Sequence, residues 1–191
     1  IVFTSVGGNL VRVRFTNTFG TTPLQIGGAS IAVAGTRAGT AGPPVPLTFG
    51  GQSSIPIPDG AEALSDPVRM HVPRLQDLAV SVYLPQATGP VTQHALAQQI
   101  NYVGSGDHTS DSSGSAYTSQ TQSWFFIDSV DVSSSADDLG TLVAFGDSIT
   151  DGFNSTVGAN TRWPNDLARR LDSPSRHPSP SRTRASAATA C

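Results

Sequence analysis

Apolar and polar residues alternate through residues 1–134. Leu10 to Phe15 reads Leu, Val, Arg, Val, Arg, Phe, so Val11, Val13 and Phe15 share one face and Arg12 and Arg14 the other. A period of two marks a half-buried strand. Asn17 to Gly20 then gives a turn signal. Further short strands are predicted at 24–34, 53–58, 67–72, 77–84, 92–102 and 124–132, each bounded by Gly, Pro, Asp or Ser. This stretch has no helical stripe and no internal repeat. Short strands punctuated in this way predict an all-β sandwich, jelly-roll-like, over residues 1–134. Residues 104–123 are rich in Ser, Gly, Thr and Asp. They predict a long solvated loop, or in a functional reading one that overhangs a binding face.

The pattern then changes. Residues 135–140 read as a linker. Thr141 to Phe145 is a short apolar strand running into Gly-Asp-Ser-Ile-Thr-Asp-Gly at 146–152. A helix is predicted over 162–171, with Pro164 in its first turn, Asn165 and Asp166 near its start, and Arg169 and Arg170 near its end. Trp163, Leu167 and Leu171 share one face of it. A strand, a turn and a helix begin an α/β domain, so the predicted fold is mixed: a β-sandwich, then the incomplete start of an α/β domain over 141–171. Residues 172–191 alternate Ser, Pro and Arg without an apolar period and are predicted to be disordered.

Composition narrows the function classes. The chain has 191 residues, 13% charged, with a net charge of −3. Its few basic residues are scattered, which argues against nucleic acid. No apolar run approaches the roughly 20 residues of a membrane span. The only cysteine, Cys191, can form no intramolecular disulfide and no Cys-based metal site. No metal or organic cofactor is implied. Ile1 lies inside a predicted strand, so the chain is expected to continue upstream, where any signal peptide would have been.

The segment that carries chemistry is the turn after residue 145. A serine hydrolase needs an exposed hydroxyl, a base and oxyanion donors. Ser148 follows a short buried strand, where the turn can aim its hydroxyl into a crevice at the strand's carboxyl end. Gly146 allows close approach of backbone and substrate, and the Ser148 N–H could serve as one oxyanion donor.

The run Thr141 to Gly152, followed by Arg162 to Leu171, resembles the first block of the SGNH/GDSL hydrolases. Upstream, the segments 7–20, 47–51, 65–73, 77–85 and the region from His94 to Asp107 resemble a β-sandwich found fused to such hydrolases in secreted bacterial proteins. The resemblance covers residues 1 to 171. It implies an ester hydrolase with Ser148 as nucleophile and its N–H in the oxyanion hole, with Asp147 shaping the turn. The implied substrate is a small-molecule or carbohydrate ester, and the implied location is extracellular.

The family also uses a Gly and an Asn from later blocks and an Asp-x-x-His, none of which can be placed here. His177 follows Asp172 by five residues and fits poorly. His71, His94 and His108 read as surface or satisfied histidines. Reading across the codon boundaries from Arg182 to Cys191 permits Asn-Ala-Gly-Ile-Gly-Gly-Asn-Arg-Leu, which resembles the family's second block. The tail is therefore expected to be out of frame, and the chain truncated and inactive or severely impaired. The alternative is a carbohydrate-binding or structural sandwich with a hydrolase remnant, for which Tyr102, Tyr117 and Trp124 are the aromatic candidates.

Overall fold

The structure, a computed structural model, describes residues 1–133, 138–173 and 184–189. In chain order the strands are β1 (Val2–Thr4), β2 (Gly8–Thr16), β3 (Leu24–Ile26), β4 (Gly28–Val33), β5 (Val45–Pro46), β6 (Ile55–Ile57), β7 (Glu62–Leu64) and β8 (Val68–Val72). There follow β9 (Gln76–Tyr83), β10 (Gln93–His94), β11 (Asn101–Val103), β12 (Ser119–Thr121), β13 (Trp124–Phe125) and β14 (Ile127–Val132). The C-terminal part holds β15 (Asp138–Ala144), α1 (Ser148–Asp151), α2 (Trp163–Asp172) and β16 (Arg184–Thr189).

The fold is mostly β. One sheet runs β1-β9-β4-β5 and a second runs β14-β2-β7, with β8 also on β2. All pairings in these sheets are antiparallel. The alternation of β2 places Val11, Val13 and Phe15 in the core with Ile31 of β4 and Leu78 of β9. Phe15 meets Phe49 edge to face at 5.7 Å. Arg12 and Arg14 face solvent, where they pair with Asp131 and with Glu62 and Asp128.

Two breaks in the strands have local causes. β7 and β8 lie along one edge of β2, separated at Ser65. The buried Ser65 hydroxyl accepts from the Val13 N–H at 2.9 Å, and its own N–H donates to the Val13 carbonyl. It thus satisfies the β2 backbone where Pro67 interrupts the partner strand. Phe126, at φ 58°, separates β13 from β14. Its N–H donates to Thr92 and its carbonyl accepts from Thr16, so the kink is held from two sides.

The polar loop folds back on the outer face of the first sheet. Ser30 Oγ donates to the Thr109 carbonyl at 2.5 Å, the Thr40 N–H to Ser112, and the Tyr117 hydroxyl to Ser81. Small residues on that face (Ser30, Ala32, Ala79, Ser81) leave room for it.

The C-terminal part differs from the sequence expectation in two respects. β15 begins at Asp138, inside the expected linker, of which residues 134–137 lie outside the described residues. Arg184–Thr189, expected to be unstructured, forms β16 and pairs in parallel with β15. With α2 between them the two strands make a βαβ unit. The prolines of the tail, at 174, 178 and 180, precede this stretch, so its backbone keeps every N–H needed for pairing. The remaining tail residues lie outside the described residues.

Candidate functional site around Ser148

The turn after β15 is built from three consecutive residues. Asp147 is the N-cap of α1, and its Oδ1 accepts from the Ile149 N–H at 3.0 Å. Ser148 is the first residue of the helix and is exposed. Its carbonyl accepts from Phe153, while its own N–H makes none of the turn's hydrogen bonds. A Cβ on Gly146 would lie 2.2 Å from Thr150 Oγ1. The need for glycine there comes from Thr150 packing beneath the turn. Gly152 closes α1 in the left-handed conformation at φ 95°, where a side chain would be strained.

The β domain grips the far end of this turn. His94 Nε2 lies 2.8 Å from Asp151 Oδ2. Arg162 is buried; its Nε donates to the Asp151 carbonyl at 2.6 Å and its terminal nitrogen to the Ala97 carbonyl. The guanidinium lies 5.6 Å from the centre of the Trp124 ring, and His94 contacts the same ring at 5.3 Å. Trp163 Nε1 donates to Thr150 Oγ1 at 3.3 Å.

Further contacts continue down α2. Asn160 Nδ2 donates to Asp77 Oδ1 at 2.9 Å, Arg169 lies over Phe3 at 5.3 Å, and Arg74 pairs with Asp172 at 2.6 Å.

The other histidines lie apart from this site. His71 Nδ1 sits 3.2 Å from Asn9 Oδ1. His108 Nδ1 meets Asp111 Oδ2 at 2.8 Å and its Nε2 meets the Ser105 carbonyl at 3.0 Å. These acceptors, Asp111 first, raise the His108 pKa above its ordinary 6.5. His177 lies outside the described residues. Among the described residues, no side chain hydrogen-bonds the Ser148 hydroxyl. The same residues contain no cluster of three His, Cys, Asp or Glu able to hold a metal.

The apolar residues flanking the turn are open. Phe145 is 92% and Ile149 72% exposed, and Val143 and Phe153 are also exposed. The two-stranded β15–β16 sheet is too small to cover them.

A second concavity lies in the β domain. A groove of about 720 Å³ is lined by Tyr102, Tyr117 and Trp124 together with Val80, Val82 and Phe125. The three aromatic candidates therefore meet at one place. Two are already engaged: Trp124 by His94, Arg162 and the Ile1 carbonyl, and Tyr117 by Ser81 and the His108 carbonyl.

His94, Asp151 and Arg162 were not legible as a set from the sequence. Only the position of Arg162 at the head of the Arg-Trp-Pro run pointed to it. No helix among the described residues is long and apolar enough to cross a membrane. Set against protein-family models and curated proteins, the chain matches none.

Proposed function

We propose that the chain carries the nucleophile segment of an SGNH/GDSL-type ester hydrolase, with Ser148 as nucleophile. The observation that carries this reading is the placement of Ser148. It is the exposed first residue of a helix that begins after a three-residue turn from a strand, with Asp147 as its cap. In the intact enzyme the Ser148 oxygen attacks the carbonyl carbon of an acyl or acetyl ester of a carbohydrate or small molecule. The unengaged Ser148 N–H donates to the oxyanion, and water then releases the acyl group. The resemblance also makes it a secreted bacterial protein.

On this reading the described residues give Ser148 no base, since His94 is committed to Asp151, and a serine without a base is a weak nucleophile at neutral pH, so the described residues alone support little or no activity. Losing a triad partner costs several orders of magnitude in rate. A carbohydrate-binding module has less support, because packing already engages Trp124 and Tyr117.

The test is to resequence the coding DNA past codon 165 and express any one-base-corrected frame. The corrected protein is expected to hydrolyse p-nitrophenyl acetate at least a thousandfold faster than the present chain, and Ser148→Ala to abolish the gain. Absence of the second-block motif from every frame, or activity that survives Ser148→Ala, would overturn the reading.

A further inference from the structure

α1 is a single turn, Ser148 to Asp151, far below the length at which a helix holds itself in water. Its support has to come from outside. Little comes from the β15 side, where Phe145 before the turn and Ile149 within it stay exposed. The β domain reaches one residue of α1 by two routes. His94 Nε2 meets the Asp151 carboxylate at 2.8 Å, and Arg162 Nε donates to the Asp151 carbonyl at 2.6 Å. Arg162 is the N-cap residue of α2, and its terminal nitrogen is anchored on the Ala97 carbonyl. Both routes meet at Trp124, with His94 at 5.3 Å and the guanidinium at 5.6 Å from the ring. The stem of Arg162 also closes on the end of α1, since a Cβ on Gly152 would lie 2.4 Å from Arg162 Cγ.

Asp151 is coupled to Ser148 through the backbone. Its N–H donates to the Asp147 carbonyl at 3.1 Å, and the ring closed by that bond contains the Ser148 peptide. Asp151 cannot shift without carrying the Ser148 N–H and Cβ with it. The two holds on Asp151 fall on different atoms, one on the side chain and one on the backbone. A single contact would leave the turn free to swivel about it. Two contacts, both tied back to the β domain, fix its direction.

We infer that His94 and Arg162 are positioning residues for Ser148. Acting through Asp151, they hold the direction of the Ser148 N–H and Cβ relative to the β domain, and Trp124 keeps both of them in place. Neither touches the reacting atoms. This role rests on the reading of Ser148 as nucleophile, because a donor to an oxyanion acts only when it is aimed beforehand. It makes the β domain a working wall of the site, and not a module carried beside it.

The experiment measures the NMR order parameter of the Ser148 N–H in the full chain under native conditions, where a mere loss of global stability does not register. The parent is expected to be rigid, at about 0.85. His94→Ala and Arg162→Met are each expected to lower the value below about 0.6, the flexible range, while Val13 in β2 stays unchanged. His94→Gln, which returns an N–H donor close to the place of Nε2, is expected to recover most of the loss. A Ser148 that stays rigid in both variants would overturn the inference, since the turn would then be held from elsewhere. So would a parent already in the flexible range, or a fall at Val13 as large as that at Ser148. None of these readouts requires Ser148 to be a nucleophile, which Ser148→Ala in the corrected frame tests separately.

Discussion

His94 and Asp151 join the two parts of the molecule: the imidazole Nε2 of a β10 residue lies 2.8 Å from a carboxylate oxygen on the helix that begins at Ser148. Both side chains are mostly buried, and Trp124 backs the imidazole. Each of His94→Ala and Asp151→Asn is expected to cost about 1–2 kcal/mol, the range for a partly exposed hydrogen bond to a charged group. In a double-mutant cycle by urea unfolding, a coupling of about 1 kcal/mol is expected, since the residues touch. Strict additivity would show that the contact carries nothing.

Arg162 is the second clamp. Arg162→Met keeps the aliphatic bulk but strips donors from the Asp151 and Ala97 carbonyls and removes the charge over Trp124. A loss of about 2–4 kcal/mol is expected from these charge-assisted bonds and the ring contact. Arg162→Lys is expected to recover little, because one ammonium cannot reproduce the planar fork. Limited proteolysis within residues 152–161 should accelerate in both variants. A lysine variant as stable as the parent would refute the forked contact.

How legible all this was depended on range. The alternation from Leu10 to Phe15 identified β2 and its buried face, because a period of two is local. The helix from Pro164 was legible for the same reason and appears as α2. The three-residue β7 was not, since Glu62 to Leu64 is too short to show a period. The predicted strand at 124–132 hid its kink, because nothing local marks Phe126 for a positive φ. At the site, Ser148 and its turn were visible as a contiguous motif. The His94–Asp151 contact was not, because its partners lie 57 residues apart. It exists because the β domain and the Ser148 turn fold against each other.

The loop over the first sheet should respond to pH. His108 bonds acceptors through both ring nitrogens, which favours the imidazolium and raises its pKa above 6.5. A raised folded value means that the folded loop binds more protons than the unfolded one. Its contribution is complete below 6.5 and is lost as pH rises through the raised value. Local opening at Thr109 to Asp111, read by amide exchange corrected for intrinsic rates, is therefore expected to increase above neutrality. Asp111→Asn removes the larger cause and should move the His108 titration back toward 6.5. A parent titration below 6.5 would contradict the arrangement.

Gly146 tests why the turn at Ser148 has its shape. An added Cβ would meet Thr150 Oγ1 at 2.2 Å and Thr150 Cβ at 2.9 Å. Thr150 is buried and receives the Trp163 indole N–H, so it cannot simply swing away. Gly146→Ala should displace α1 and cost roughly 1–3 kcal/mol, the range for overpacking. Thr150→Ala removes the nearer atom at the expense of the Trp163 hydrogen bond. The double variant should therefore be more stable than the two single losses summed, while remaining below the parent because the Cβ contact persists. If glycine is needed only for substrate approach, Gly146→Ala should leave unfolding unchanged, and the double variant should lose no more than Thr150→Ala alone.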